Sequence, residues 1–376
     1  MIAAGSDSFA RIRLLRSPRI GPASYRQLLH RFGGAGAALA ALPELAARGH
    51  ASGYRPASER AVMAEIAAVE RAGARYLFDD APDYPPLLRH AQGAPPILIA
   101  RGDAAIARRA PVALVGARNA SAAAIRLARE FACGLAAAGH AVVSGLARGI
   151  DGAAHRGALA AGRDAGGTVA VIACGIDIAY PPDHAQLQEV IARDGLLLTE
   201  MPPGTEPVAR HFPARNRIIA GLAGATLVVE AAPRSGSLIT ARLAGELGRE
   251  VMAIPGSPLD PRSHGCNALI RDGATLVQSV EDAIEVLSGF TGSAAPRFCE
   301  QEARFVAVPE DEEIDTGGIA DAGEAIAALL SIGPVPVDEL IRQSGLAAAA
   351  VQLALIELEL GGRLQRHAGA RVSLSG

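Results

Sequence analysis

Tryptophan and lysine are both missing from this chain of 376 residues, and every one of its 36 basic residues is an arginine. Without lysine there is no P-loop lysine, no Schiff base and no lysine general base. Phosphate recognition survives that loss, because a guanidinium binds phosphate well and with two parallel hydrogen bonds. Cysteine is scarce. Cys133, Cys174, Cys266 and Cys299 form no CxxC pair, which argues against a zinc site or a disulfide framework and fits a reducing cytoplasm. No apolar run approaches the ~18 residues of a membrane span. The opening MIAAGSDSFARIRLL lacks the basic-then-apolar order of an export signal. Aromatics are few, 8 Phe and 5 Tyr, so any stacking surface is small.

What is present is apolar and unevenly charged. Half the residues are hydrophobic, enough for two or three domains that each bury a core. Residues 1–75 carry 11 Arg against 5 acids, 76–290 carry 19 against 21, and 291–376 carry 6 against 13. A polyanion is expected at the basic beginning and not at the acidic end.

Patterning divides the chain at the same places. Residues 1–75 read as a small helical domain: Leu28, Leu29, Phe32, Leu39 and Leu42 recur at helical spacing, and Ile20-Gly21-Pro22 resembles the turn of a helix-hairpin-helix unit. A plain helical bundle with a tight turn fits those residues equally. From 76 to 290, short β-branched runs alternate with Ala/Leu-rich helices. Strands are expected at Ile97–Ala100, Val112–Val115, Ala141–Ser144, Thr168–Ala173, Leu196–Thr199, Thr226–Val229 and Glu250–Ile254, with helices at Ser121–Ala138, Asp151–Ala161 and Leu238–Leu247. Continuous apolar strands separated by helices predict an α/β, doubly wound, mostly parallel sheet of Rossmann-like type. Residues 291–320 read as a linker. Residues 321–376 read as a winged helix, with Gly345 at the helix-turn-helix bend and Ala368-Gly369 at the wing's turn.

Ligands of such sheets bind beyond the carboxyl ends of the strands. Three Gly/Ser-rich turns fall there, each with an arginine at a helix start: Gly116–Ser121 with Arg118, Ser144–Asp151 with Arg148, and Arg234-Ser235-Gly236-Ser237. Unpaired N–H groups and the helix dipole favour an anion at such places. Arg210, Arg215, Asn216 and Arg217 surround Phe212, whose ring can stack on a base. Phosphate-binding turns beside an aromatic face suit a single-stranded nucleic acid. Each element also has a purely structural reading. Ser144 and Ser237 can be helix caps, Arg217 can pair with Glu200 or Glu230, and His155 can be a buried structural histidine.

The same stretches resemble a known family. Gly116-Ala117-Arg118 with Ser121, SGLARGIDGAAHRGAL (144–159), Tyr180-Pro181, EMPPGTEP (200–207), HFPARNRIIAGL (211–222), VVEAAPRSGSLITA (228–241) and AIPGSP with GCNALIRDGA (253–274) resemble the successive blocks of the DNA-processing protein A family, DprA or Smf. That resemblance implies an extended Rossmann-like core flanked by an N-terminal helical domain, similar to sterile-alpha-motif folds, and a C-terminal winged helix. It implies a non-catalytic, cofactor-free and metal-free protein of bacterial natural transformation, which binds and protects incoming single-stranded DNA, helps load the RecA recombinase and dimerises through its core. Its DNA pocket falls on Arg118, Ser144, Phe212, Arg215, Asn216, Arg217 and Ser235-Gly236-Ser237, beside Ser121, Arg148 and Arg210. Ala117 stands where Ser is usual, Cys174 where Gly or Ser is common, and Arg210 in place of a lysine. The alternative is a nucleotide-processing enzyme of phosphoribohydrolase type, but PRSGSLITARLAGE lacks that group's Gly pair and its first acid is Glu246, far down the helix. No GxGxxG fingerprint supports a dinucleotide enzyme. The last helix of the winged domain, Leu346–Leu360, carries Glu357 and Glu359 and no arginine, so it is expected to contact protein and not to read duplex DNA.

Overall fold

The computed structural model describes residues 2–50, 53–291, 319–331, 333–367 and 369–375. Most of the expected linker (292–318, with Cys299) and Ala368 of the expected wing turn lie outside them. The chain divides into two compact units, Met1–Ile66 with Pro296–Gly376, and Ala67–Ala295.

The chain opens with four helices, α1 (Asp7–Leu15), α2 (Pro22–Phe32), α3 (Ala35–Arg48) and α4 (Glu59–Arg71). Ser6 caps α1 by accepting from the Phe9 N–H. Pro22 takes the first position of α2, where its missing donor costs nothing. Leu14, Tyr25, Leu28, Leu42 and Leu45 form the core between these helices.

The larger unit is built on one sheet. In chain order it runs β1 (Arg75–Phe78), α5 (Pro86–Arg89), β2 (Ile97–Gly102), β3 (Val112–Val115), α6 (Ala122–Ala137), β4 (Val142–Ser144), α7 (Ile150–Ala160), β5 (Thr168–Val171), α8 (Ala185–Asp194), β6 (Leu196–Thr199), α9 (His211–Leu222), β7 (Ala225–Val228), α10 (Gly236–Glu246), β8 (Glu250–Ala253), α11 (His264–Arg271), β9 (Thr275–Leu276) and α12 (Val280–Thr291). The spatial order is β1-β2-β6-β5-β4-β3-β7-β8-β9. Strands β3 to β9 are parallel to one another, while β2 runs antiparallel to β1 and to β6. Each of the seven expected strands is present, with ends shifted by two residues at most.

Sheet order reverses at β3: β4, β5 and β6 lie on one side of it, β7, β8 and β9 on the other. That reversal opens a crevice at the carboxyl edge, where open sheets place their ligands. The central strands are apolar throughout because both faces are covered. One face packs Val143, Val171 and Leu198 against Ile218, Leu222 and Leu88; the other packs Leu114 and Leu227 against Phe131, Leu135 and Ile150.

The C-terminal segment supplies α13 (Ile319–Leu329), β10 (Val335–Pro336), α14 (Val337–Ser344), α15 (Ala348–Leu360), β11 (Leu364–His367) and β12 (Arg371–Leu374). Its three strands pair antiparallel in the order β10-β12-β11, which with α13–α15 makes the winged helix. Gly345 ends α14 at φ +67°, the left-handed turn that a helix-turn-helix bend requires. Ile326, Leu340, Leu355, Leu358 and Val372 form its core.

Candidate nucleic-acid interface

The crevice is assembled from loops that grip one another. The turn after β3 is tied to the end of β7, with Ala117 N–H donating to the Glu230 carbonyl at 2.7 Å. The turn after β4 reaches the same place, where Ile150 N–H donates to the Ala117 carbonyl at 3.2 Å. Gly149 makes that approach possible at φ +75°, since a Cβ there would lie 2.2 Å from the Ala117 oxygen. Ser121 caps α6 by accepting from Ala124 N–H, and its own N–H donates to Glu230 Oε1 at 3.0 Å. Ser235 caps α10, accepting from Ser237 N–H. The helix starts of α6, α7 and α10 therefore share one edge of the sheet, and their dipoles add to its positive potential.

Arg118 and Phe212 meet on this rim. The Arg118 guanidinium lies 4.8 Å from the centre of the Phe212 ring, and Tyr180 contacts the same ring at 5.6 Å with a 50° tilt. A shallow cleft runs beneath, lined by Gly145, Ala147, Cys174, Tyr180, Pro207 and Phe212. Its far wall is held by Asp177, whose carboxylate accepts from Gly204 N–H, and by Gly175 N–H donating to the Thr205 carbonyl. Arg118, Arg210 and Arg234 are exposed and, among the described residues, have no acidic partner within 4.0 Å. Arg148 is exposed but paired with Asp183 at 2.7 Å.

Other expected residues sit deeper. Ser144 is fully buried and donates to the Leu114 carbonyl at 2.6 Å. Ser237 is buried against Ser235 Oγ. Arg215 is 4% exposed, its Nη1 donates to the Val171 carbonyl and its Nε has no partner. Burial lowers the Arg215 pKa to about 10, partly offset by Asp151, while burial pushes the Asp151 carboxyl upward. Gly145 leaves room for that guanidinium, as a Cβ there would meet Arg215 Nη1 at 2.0 Å. Ser144, Ser237 and Arg215 thus form the floor under the rim.

Arg217 has the second of its two sequence readings. Its guanidinium pairs with Glu200 and donates to the Gly93 carbonyl at 2.6 Å. Asn216 donates to the Gly236 carbonyl at 3.2 Å and joins α9 to the start of α10. Gly236 is exposed with open space around its Cα. Sequence reasoning named Arg234 only as the arginine of its turn, and it left Tyr180 out of the site. The available signal for Tyr180 was its place in the recognised Tyr180-Pro181 block.

Residues 75–288 match the family described as DNA recombination-mediator protein A, residues 5–68 a DprA-like N-terminal HHH domain, and residues 311–370 a DprA winged helix domain. Protein Smf of Synechocystis is 35% identical over 324 residues, covering 79% of each chain. The X-ray structure of DNA processing protein A from Streptococcus pneumoniae superposes with a TM-score of 0.63 at 35% identity, covering 75% of this chain and 98% of that one. DNA processing protein A from Helicobacter pylori, whose structure is described in terms of its single-stranded DNA binding mode, gives 0.51 at 27% identity over 58% of this chain and 96% of that one. No helix among the described residues is long and apolar enough to cross a membrane. On these matches, which span all three segments read from the sequence, the chain belongs to the DNA-processing protein A (DprA/Smf) family.

Proposed function

We propose that this protein binds single-stranded DNA along the carboxyl edge of its central sheet. In that role it protects incoming strands during natural transformation and helps load RecA onto them, acting as a cytoplasmic homodimer through the core. The observation that carries this reading is the convergence of three helix starts, exposed arginines and the Arg118–Phe212–Tyr180 cluster on one crevice. In the free protein Arg118 covers a face of the Phe212 ring. On binding, the guanidinium moves to a phosphate and a base takes its place, a contact worth roughly 1–3 kcal/mol.

The arrangement favours binding over catalysis. Glu230 is committed to Ser121 N–H and Glu200 to Arg217, while Glu246, at the far end of α10, pairs with Arg242. The test is a salt-titrated comparison of single- and double-stranded oligonucleotides on the full chain. The expected result is preferential single-strand binding that weakens about 5–150-fold in Phe212→Ala with an unchanged salt slope. Equal affinity for both oligonucleotides, or release of free base from nucleoside monophosphates, would overturn the reading.

A further inference from the structure

Helix α15 has no exposed polar face: its polar residues Gln352, Glu357 and Glu359 are all buried or half-buried. Its apolar residues divide into two stripes at helical spacing, and the two stripes enter different cores. Val351, Ala354, Leu355 and Leu358 pack inside the winged helix. Leu353, Ile356 and Leu360 pack with Tyr25, Leu28, Leu42 and Leu45 of the N-terminal helices. A helix with apolar stripes on two sides must be covered on both, and here the chain's own N-terminal domain supplies the second cover.

Polar contacts ring that apolar centre. Ser24 donates to Glu359, Gln27 to Gln352, and Arg19 to the Leu360 carbonyl, while Arg48 lies 4.0 Å from the buried Glu357 carboxylate. The basic start of the chain and its acidic end therefore answer one another directly. The two backbones also touch. A Cβ on Gly49 would lie 1.9 Å from the Glu357 carbonyl oxygen, and one on Gly361 would lie 2.1 Å from that of Gly49.

In duplex-reading winged helices the second helix of the helix-turn-helix enters the major groove. Here that helix is buried or half-buried from Ala350 to Leu360, and its exposed start, Ala347–Ala349, offers no side-chain donor or acceptor to a base edge. We propose that the C-terminal winged helix is an intramolecular clasp, whose would-be reading helix is the docking surface for the N-terminal helical domain and is thereby withheld from duplex DNA.

The backbone contact makes a sharp test. Gly49 has an ordinary φ of −77°, so alanine is conformationally acceptable there and without the contact would be neutral or stabilising. With the contact it clashes. In the full chain, Gly49→Ala is expected to lower the melting temperature and raise amide exchange in both α3 and α15. Gln27→Arg with Gln352→Arg is expected to do the same, and Gln27→Glu with Gln352→Arg to restore protection. Added duplex oligonucleotide is expected to leave α15 exchange unchanged. A neutral or stabilising Gly49→Ala, an effect at Gln352 indifferent to residue 27, or duplex-induced protection of α15 would overturn the proposal.

Discussion

At the scale of single residues, buried polar groups beneath the crevice set how the protein responds to acid. His155 is fully buried; its Nδ1 lies 2.8 Å from Thr168 Oγ1, which itself donates to the Val142 carbonyl. The proton is thus assigned to Nδ1, and Nε2 is left without a partner. Burial, with His184 and Arg215 nearby, pulls the His155 pKa from 6.5 down to about 3. A histidine lowered in this way stabilises the fold above its unfolded value and loses that contribution as pH falls toward the folded one. Asp151 acts oppositely. Its raised pKa gives a contribution present at low pH and lost as pH rises. Denaturant titrations of the wild type and His155→Asn should separate the two, with the wild type losing more stability between pH 6.5 and 4 than the variant. Gly149 gives a second prediction at this scale. Gly149→Ala meets both a positive φ and the Ala117 oxygen, so thermal unfolding should register a loss of about 1–3 kcal/mol or more.

At the scale of elements, α9 shows how much of the site was legible. The strands were plain in the sequence, since fully buried parallel strands read as unbroken apolar runs such as Val112–Val115 and Leu196–Thr199. Strands β1 and β9 were not: at the margins of the sheet they are only partly buried, and β9 has only two residues. The loops that build the crevice were legible as motifs, but sequence does not say which side of a helix a residue takes. Phe212 stands on the rim and Arg215, three residues on, lies under the floor, while Arg217 turns to Glu200. This difference in placement predicts a difference in behaviour. Arg118→Ala should reduce the log–log salt slope of single-strand binding by about 0.7, as one phosphate contact is lost. Arg217→Ala should leave that slope near its wild-type value and lower thermal stability, because its charge is already committed within the fold. Equal slopes for the two variants in parallel titrations would show that Arg217 reaches the strand.

At the scale of the whole molecule, the two terminal segments depend on each other, because the N-terminal helices and α15 share one core. Removing the chain after about residue 318 strips Leu353, Ile356 and Leu360 from the N-terminal core, where each buried side chain contributes roughly 1.5–3 kcal/mol. The truncated protein should show a destabilised N-terminal domain by calorimetry while oligonucleotide affinity stays within about two- to threefold of the full chain, a difference of well under 1 kcal/mol. The sequence hinted at this dependence through the charge imbalance of its ends. Net charge alone did not name the partner: Arg19 and Arg48 could have faced a polyanion, and they face the carbonyl of Leu360 and the carboxylate of Glu357.

Because one folded unit is made from both ends of the polypeptide, the order of manufacture matters. Gln352 follows Gln27 by 325 residues. At ~5–20 residues per second, the helices made first wait roughly 16–65 s for the segment that completes them, with the entire central sheet emerging from the ribosome in between.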